Sequence, residues 1–230
     1  SDVCSSDLLH GLGHDLRVLD PQPLAPTGAA TAAHPGRERL WPGEFRDRAC
    51  LGAGVGRRPH RGEAAGRRPQ AEASARRLGA DLAAAGFVVV SGLARGVDAA
   101  AHEGALRTGS TIAVLGSGLD CIYPGEHRAL AGEIAAHGLV ISEFAPGTPP
   151  FKHHFPLRNR VISGLSRAVV VIEASEKSGS LITAACALEQ GRDVMAVPGN
   201  VLSGRNRGGH ALIRDGAKIV EGADDIVEEL

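Results

Sequence analysis

The chain has 230 residues, enough for one domain with a substantial core, or for one domain with an appendage. Its 25 Lys and Arg against 26 Asp and Glu give a formal charge of -1, so any basic surface for nucleic acid must be local. The four cysteines are far apart and form no CxxC pair, which favours reduced thiols over disulfides or a zinc site. No apolar run is long enough to span a bilayer, and no charged segment followed by an apolar block opens the chain. We therefore expect a soluble, cytoplasmic protein without a signal peptide.

Residues 1–70 differ in composition from the rest of the chain. They are rich in Gly, Pro, Ala and Arg, and they have neither the two-residue period of a strand nor the 3.6-residue period of a helix. We predict an atypical N-terminal segment, disordered or aberrant, with a flexible basic arm and a small unrecognised domain as the alternatives. Gly52, Gly54 and Gly56 form a GxGxG pattern, but no apolar strand is recognised before it, so it is a weak phosphate-loop signal.

From residue 71 onwards, amphipathic helices alternate with short β-branched strands. A first helix ends at Gly86, as is typical of a C-terminal glycine cap. Predicted strands then cover residues 87–90, 111–115, 139–142, 168–172, 193–197 and 217–220. Predicted helices cover residues 97–107, 126–137, 156–165, 180–190 and 209–214, with a last turn from 224. This alternation predicts the α/β class, with a doubly wound, mostly parallel sheet of the Rossmann-like kind in a domain of residues 71–230.

Ligands of such folds bind at the carboxyl ends of the strands. Small and polar residues follow five of the predicted strands, in SGLARGVD, GSGLDCIYP, SEFAPGTPP, EASEKSGSLIT and PGNVLSGRNRGG. Glycines in these turns, Gly92 among them, let backbone amides approach an anion. Ser180 with Thr183 opens a helix whose positive end can hold phosphate. Five such turns at one edge of a sheet predict a phosphate-binding rim.

Residues 151–166, FKHHFPLRNRVISGLS, bring aromatic and basic side chains together at the start of an apolar helix. Only 3% of the chain is aromatic, so this concentration needs an explanation. Lys152 and Phe155 offer a cation beside a flat apolar face, and an Arg-Asn-Arg run follows in the first helical turn. Such a set suits single-stranded nucleic acid, which presents phosphates and bases in repeating order. The alternative is that the phenylalanines are core anchors and the arginines a solvated helix face.

Other polar side chains near the rim allow a structural or a functional interpretation. Arg95 lies in a glycine-flanked turn and suits either a phosphate or a salt bridge to Asp98 or another nearby acid. Asp98 and His102 are spaced like an acid/base pair, but no nucleophile or metal set accompanies them, so we expect them to cap the helix and hold the loop. His153 and His154 are adjacent and would point to opposite faces of a regular strand, so they cannot share one metal. We predict neither a metal site nor a cofactor.

Seven ordered blocks of sequence carry a resemblance to a known family. The blocks are SGLARGVDAAAH, TIAVLGSGLDCIYP, LVISEFAPGTPP, FPLRNRVISGLS, VVVIEASEKSGSLITA, ALEQGRDVMAVPGN and GGHALIRDGAKIV. From about residue 71 to residue 230 they resemble the DprA family of DNA-processing proteins, also called Smf. The resemblance implies an extended Rossmann-like domain that binds single-stranded DNA, dimerises, and helps to load the RecA recombinase onto incoming strands during DNA uptake in competence and natural transformation. It implies no catalysis.

The resemblance also implies a site for single-stranded DNA. The family forms its pocket with a KxxF spacing before an RNR helix, and here these positions are Lys152 and Phe155. The match carries the RNR run and the serine-glycine-serine turn that begins at Ser178 to the rim of the same pocket. Together with the rim positions chosen above, the predicted set is Lys152, Phe155, Arg158, Asn159, Arg160, Gly92, Arg95, Ser178, Gly179, Ser180 and Thr183.

One feature of the family is not recognised in the sequence. The family enters this fold through an earlier apolar strand and a Gly-Ser-Arg or Gly-Ala-Arg turn, whose arginine contacts a DNA phosphate. The corresponding region, residues 50–66, is CLGAGVGRRPHRGEAAG, and it has neither pattern. We therefore expect the chain to lack a central strand and one phosphate ligand, as a frame-shifted reading of a GC-rich gene would explain.

Two functional classes remain. The first is a non-enzymatic mediator of recombination that binds single-stranded DNA, with Lys152 on a phosphate and Phe155 on a base. The second is a nucleoside-monophosphate-processing enzyme of the lysine-decarboxylase-like Rossmann group. Enzymes of that group carry a glutamate shortly after the threonine at the helix start. Here Thr183 is followed by Ala-Ala-Cys, which argues against that chemistry.

Overall fold

The computed structural model describes residues 17–18, 50–52 and 69–230 of the chain, the first two segments through their backbone alone. The strands of this part are β1 (Arg17–Val18), β2 (Cys50–Gly52), β3 (Val88–Ser91), β4 (Thr111–Leu115), β5 (Leu139–Ser142), β6 (Ala168–Val171), β7 (Asp193–Ala196) and β8 (Lys218–Ile219). The helices are α1 (Pro69–Ala84), α2 (Val97–Ala105), α3 (Arg128–His137), α4 (His154–Gly164), α5 (Gly179–Glu189), α6 (Arg207–Arg214) and α7 (Ala223–Val227), with a 3-10 turn at Gly125–His127 before α3. The predicted alternation from residue 71 onwards is confirmed, with element ends shifted slightly.

The strands form one sheet in the order β1-β5-β4-β3-β2-β6-β7-β8. Strands β2 to β8 are parallel, and only the edge strand β1 pairs antiparallel, with β5. Along the chain, β3, β4 and β5 extend the sheet on one side of β2, and β6, β7 and β8 extend it on the other. The direction of winding therefore reverses beside β2, and the predicted doubly wound, mostly parallel architecture is confirmed.

The expectation that the chain lacks a central strand is wrong. Residues Cys50–Gly52 lie at the middle of the sheet, where Leu51 pairs with Val89 of β3 on one side and with Ala168 of β6 on the other. A three-residue strand that ends in glycine has little apolar pattern of its own, and its pairing with two buried neighbours defines it instead. The sheet thus includes residues before the predicted domain boundary at residue 71. The remaining glycines of the GxGxG pattern and the arginines that follow them lie outside the described residues.

Both faces of the sheet are covered by helices. In β3, Val89 packs in the cluster that contains α1 and α2, whereas Val88 and Val90 pack against Val161 and Ile162 of α4 on the opposite face. Helix α3 lies over β4 and β5, and α5 lies over β6 and β7. Because both faces are covered, β3 and β4 are buried along their whole length, and apart from Ser91 and Thr111 their residues are apolar without alternation. Among residues 69–230, no helix is both long enough and apolar enough to cross a membrane.

Helices α1 and α2 approach so closely that their backbones touch at two glycines. A Cβ atom at Gly79 would lie 2.5 Å from the carbonyl oxygen of Ala101, and one at Gly104 would overlap the carbonyl oxygen of Arg76. Glycine at these positions lets the pair pack on β3 as one layer. A methyl group could enter only if one helix moved.

We expect Gly104→Ala to lower the free energy of unfolding by about 1–3 kcal/mol, because the added methyl group meets backbone that cannot rotate away. The matched control is Gly132→Ala in α3, where nothing lies within 4 Å of the new Cβ. There the higher helix propensity of alanine should raise the stability, by about 0.5–1 kcal/mol. Urea unfolding followed by circular dichroism measures both changes. Equal effects at the two sites would contradict the close packing of α1 on α2.

Candidate nucleic-acid interface

Lys152 and Phe155 lie at the carboxyl edge of the sheet, where the chain enters α4. Lys152 is exposed in the turn that precedes the helix, and Phe155 is half-buried in the first helical turn. The ring of Phe155 rests on Gly116, the residue after β4, whose hypothetical Cβ would lie 3.0 Å from Cδ1 of the ring. A side chain at position 116 would push the ring away. The glycine after β4 therefore sets the position of Phe155.

Tyr123 is a neighbour of Phe155 that the sequence did not single out. The two ring centres are 5.7 Å apart and the planes are tilted by 49°. The guanidinium carbon of Arg95 lies 5.8 Å from the centre of the Tyr123 ring, within the range of a cation–π contact. Tyr123 is the only tyrosine of the chain and lies in the turn after a predicted strand. That position is the sequence feature that could have identified it as a candidate site residue. Through Tyr123, the turns that carry Arg95 and Phe155 form one continuous surface.

A second group of rings surrounds the start of α4. Phe144 stacks on His154 at a centroid distance of 4.1 Å, and Phe151 stacks on His153 at 5.7 Å. Phe151 is 50% exposed, so it is not a core anchor. His153 is the N-cap of α4 and His154 is its first residue, so the two do not alternate across a strand, and their rings lie 4.5 Å apart. His154 Nδ1 donates to the carbonyl oxygen of Gly116 at 3.2 Å, and the described residues contain no cluster of three His, Cys, Asp or Glu that could hold a metal.

Arg158 lies in the interior, which corrects its prediction as a phosphate ligand at the surface. Its side chain is 1% exposed. Nη1 donates to the carbonyl oxygen of Gly92 at 2.8 Å and also to that of Val114. Burial lowers the pKa of Arg158 to about 10, and the negative charge of Asp98 opposes that shift. Arg158 thus connects the ends of β3 and β4 beneath the rim.

Gly92 is also buried and has no free backbone group to offer an anion. Its N–H donates to Oδ2 of Asp98 at 3.1 Å, and its carbonyl oxygen accepts from Arg158. Asp98 Oδ2 accepts from the N–H of Ala94 as well, at 3.2 Å, so the expectation that Asp98 holds this loop is confirmed. Burial raises the pKa of Asp98 to about 6, although Arg158 and these hydrogen bonds act to lower it. Any Cβ at position 92 would overlap the Arg158 guanidinium.

His102 contacts the sheet, contrary to the expectation that it holds the loop together with Asp98. The hydroxyl of Thr111 donates to the carbonyl oxygen of Val89 at 2.7 Å, so Thr111 must accept from His102 Nδ1, also at 2.7 Å. The proton of the neutral imidazole is therefore on Nδ1. Burial lowers the pKa of His102 to about 3, with the positive charges of Arg158 and His127 acting in the same direction.

The predicted residues at the start of α5 form the junction with α4. Ser178 caps α5, and its Oγ accepts from the N–H of Ser180 at 3.4 Å. Asn159 Nδ2 donates to the carbonyl oxygen of Gly179 at 3.3 Å. The side chains of Asn159, Ser178, Ser180 and Thr183 are all buried, and only Gly179 is partly exposed. Asn159 thus joins the two helices, and none of these buried side chains lines the surface.

The two remaining arginines are exposed, and each is paired with a carboxylate. Arg95 donates through Nε and Nη2 to the two oxygens of Glu126, the second at 2.8 Å. Its partner is thus a nearby acid other than Asp98. This pair raises the pKa of Arg95, with a further contribution from Tyr123, and lowers the pKa of Glu126. Arg160 Nη2 lies 2.8 Å from both oxygens of Glu143.

The structure therefore divides the predicted set in two. Lys152, Phe155 and Arg95 share the surface at the carboxyl edge, together with Tyr123. Arg160 is exposed further along α4. The other predicted residues are supporting groups beneath or beside this surface, namely Gly92, Arg158, Asn159, Ser178, Gly179, Ser180 and Thr183.

These features define a class of protein, namely a doubly wound α/β domain that presents cations and aromatic rings beside glycine turns at the carboxyl edge of its sheet. The family model for DNA recombination-mediator protein A matches residues 66–230, and the chain belongs to this family. A curated relative, the DNA processing protein DprA of Streptococcus pneumoniae, is 52% identical over 144 residues, which are 62% of this chain and 51% of the relative. The chain thus spans about half the length of the first curated relatives it matches.

Two solved structures are similar to the fold. The X-ray structure of DprA from Streptococcus pneumoniae superposes with a TM-score of 0.72 at 42% identity, covering 81% of this chain and 63% of that one. DNA processing protein A from Helicobacter pylori superposes with a TM-score of 0.69 at 29% identity, covering 81% of each chain. The description of the Helicobacter pylori structure concerns its single-stranded DNA binding mode.

We expect Arg158→Met to lower the free energy of unfolding by about 3–5 kcal/mol, because Asp98 would be left as a buried charge without its cation. Asp98→Asn combined with Arg158→Met should cost less than the sum of the single changes, with a coupling energy of about 0.5–3 kcal/mol. Urea unfolding of the wild type, the two single variants and the double variant gives the double-mutant cycle. Arg107→Met, at an exposed arginine, is the control and should change stability by less than about 0.5 kcal/mol. If Arg158→Met matched that control, the interior role of Arg158 would be wrong.

We expect the free energy of unfolding to fall in acid because His102 is buried in its neutral form. Its pKa is 6.5 when unfolded and about 3 when folded, so the stability it contributes is complete above pH 6.5 and is lost as the pH falls towards 3. Between pH 7.5 and pH 5 the loss is about 2 kcal/mol. Asp98 has the opposite slope, since its folded pKa is raised to about 6 and protonation stabilises the fold as the pH falls from 6 towards 3.8. The pH dependence of the wild type alone mixes the two effects, so the test must compare the wild type with a variant that lacks His102.

In the His102→Asn variant, the amide can still donate to Thr111, but nothing at this position titrates. Asp98 is unchanged in both proteins, so its contribution cancels in the difference. We expect the stability gap between wild type and His102→Asn to shrink by about 2 kcal/mol from pH 7.5 to pH 5, as measured by urea unfolding. A gap that is constant with pH would mean that His102 is not held neutral.

Proposed function

We propose that the chain is a non-enzymatic recombination mediator that binds single-stranded DNA at the carboxyl edge of its sheet. Lys152 holds a phosphate, and Phe155 stacks on an adjacent base. The observation that carries this proposal is an exposed lysine three residues before an aromatic ring that Gly116 and Tyr123 hold in place. Membership of the family of DNA recombination-mediator protein A supports it, as does the similarity to the single-stranded DNA-binding protein of Helicobacter pylori.

The charge distribution suits a local contact with the phosphate backbone. The formal net charge of -1 provides no general attraction to DNA, so binding depends on a few cations at the rim. Lys152 and Arg95 are the exposed cations beside the two rings, and Arg160 extends the row along α4. Each phosphate that such a cation neutralises adds about 0.7 to the slope of log K against log salt for single strands.

The buried members of the predicted set act indirectly in this proposal. Arg158 and Asp98 hold the loop after β3, and Asn159 holds the start of α5 against α4. Gly92, Ser178, Ser180 and Thr183 complete these two supports, and the partly exposed Gly179 is the one position of the α5 turn where DNA backbone can approach.

The wider role is also a proposal. We propose that the protein acts as a homodimer in the cytoplasm and helps a RecA recombinase to load onto single strands taken up in competence and natural transformation. The family description as a recombination mediator and the curated relatives named as DNA processing proteins support this role. The cytoplasm suits four cysteines whose spacing favours free thiols, and Cys121 and Cys186 are free in the described part.

The absence of catalysis is part of the same proposal. Nucleoside-monophosphate-processing enzymes of the lysine-decarboxylase-like group carry a glutamate shortly after the threonine at the helix start, where this chain has Ala184, Ala185 and Cys186. Thr183 itself is 1% exposed and faces the interior, so it does not reach a ligand at the rim. A binding protein therefore fits this edge of the sheet better than a hydrolase.

We expect Lys152→Ala and Phe155→Leu each to weaken binding of oligo-dT about 5- to 150-fold, as the loss of one stacked base or one charge contact would do. Leucine keeps an apolar side chain against Gly116, so this change tests the flat ring and not the packing. Lys152→Ala should also make the salt slope shallower by about 0.7. Fluorescence anisotropy at several salt concentrations measures both quantities.

Arg107→Ala is the control for the loss of one positive charge, since this exposed arginine follows α2 at the opposite edge of the sheet. It should bind oligo-dT as the wild type does. If both site variants bound like the control, the assignment of the site would be wrong. If the wild type released ribose phosphate from AMP and did not bind oligo-dT, the function would be enzymatic.

A further inference from the structure

The guanidinium of Arg95 is already occupied in the free protein. Nε and Nη2 donate to the two oxygens of Glu126, which is the side-on, two-bond geometry in which arginine also binds phosphate. Glu126 lies in the 3-10 turn before α3, only three residues after Tyr123. A phosphate that binds Arg95 side-on would use the same two N–H groups. Glu126 therefore occupies the side-on position of a phosphate on Arg95.

The exposure of each pair distinguishes Arg95 from Arg160, the other acid-paired arginine of the predicted site. In the Arg95–Glu126 pair the side chains are 55% and 54% exposed, so water can solvate both groups when they separate. In the Arg160–Glu143 pair the carboxylate is only 17% exposed, and releasing Arg160 would leave it partly buried without a cation. Exposed ion pairs contribute little to stability. Of these two arginines, Arg95 is therefore the one that can exchange its partner at low cost.

The position of Arg95 suits a phosphate next to a stacked base. Its guanidinium carbon is 5.8 Å from the centre of the Tyr123 ring, and that ring is 5.7 Å from Phe155. The three side chains are thus consecutive neighbours on the surface. Only Tyr123 therefore separates Arg95 from Phe155, the ring on which we propose that a base stacks.

We propose that Glu126 is an internal competitor for the phosphate of single-stranded DNA at Arg95. In the free protein the carboxylate occupies the guanidinium, and a phosphate next to the base stacked on Phe155 displaces it when the strand binds. This inference rests on the proposed function. It adds that Arg95 contacts DNA only after exchange, and that Glu126 lowers the affinity of the site.

Glu126→Gln tests the proposal, because the amide retains the size of the side chain but cannot form an ion pair with Arg95. We expect it to bind oligo-dT about two- to five-fold more tightly than the wild type, as anisotropy at low salt would measure. The matched control is Glu103→Gln. Glu103 also forms an exposed ion pair, with Arg76, and it lies in the α1–α2 layer. This variant has the same net charge as Glu126→Gln and should bind like the wild type.

The same change in an Arg95→Ala background identifies the mechanism. We expect Arg95→Ala alone to weaken binding and to make the salt slope shallower by about 0.7, since one phosphate contact is lost. If Glu126 acts through Arg95, adding Glu126→Gln to Arg95→Ala should leave the affinity unchanged. A gain of the same size in both backgrounds would instead mean that Glu126 repels DNA without competing for Arg95. Either that result or weaker binding by Glu126→Gln would overturn the proposal.

The outcomes for the two proposals are separable. If the wild type failed to bind oligo-dT, or if Lys152→Ala and Phe155→Leu had no effect, the proposed function itself would be wrong. If those variants lost binding while Glu126→Gln bound like Glu103→Gln, only the competitor role would be wrong. Thermal unfolding of each variant shows whether a change in affinity reflects a change in folding.

Discussion

The structure depends above all on a single buried guanidinium. Arg158 reaches from α4 under the sheet edge and donates to carbonyl oxygens at the ends of two neighbouring strands, β3 and β4. Asp98, at the start of α2, supplies the opposite charge and accepts from the backbone of the same loop. A buried charge is tolerated only when partners satisfy it, so these groups fix each other's positions. Helix α4 thereby meets the end of β4 and the loop between β3 and α2 at one edge.

This interior network fixes the position of Phe155 at the surface. Phe155 lies one helical turn before Arg158, whose guanidinium carbon is 6.0 Å from the centre of the Phe155 ring. Gly116 supports the same ring from the strand whose carbonyl Arg158 binds. A base-stacking side chain must be held rigid if stacking is to provide affinity, because ordering it on binding would cost entropy. Under the proposed function, the buried arginine of α4 therefore supports the site, and the exposed lysine in the turn before α4 contacts DNA.

The sequence predicted the alternation of strands and helices and the edge on which the site lies, because apolar runs and glycine turns are local signals. It did not predict which arginine faces outward. Arg158 and Arg160 are two residues apart and so lie about 200° apart on a helix, which means that both cannot face solvent when one face packs on the sheet. The sequence did not predict the strand at Cys50–Gly52, because its pairing with strands distant in sequence, and not a local pattern, makes it a strand. Tyr123 could be assigned only when its contacts with Phe155 and Arg95 were known.

The near balance of charges in the whole chain is also found locally at the candidate site. Arg95 and Arg160, the exposed arginines of the predicted site, are both paired with carboxylates in the free protein, so the positive potential of the site is smaller than its cations suggest. Under the proposed function, Lys152, exposed in its turn before α4, is the cation near Phe155 that contacts a strand. A ligand that offers one phosphate gains little from displacing Glu126, because it exchanges one anion for another at Arg95. A strand that also stacks a base on Phe155 gains the stacking energy in addition. Under the proposal, the acid-paired arginine would therefore favour a polymer with both phosphates and bases over free phosphate.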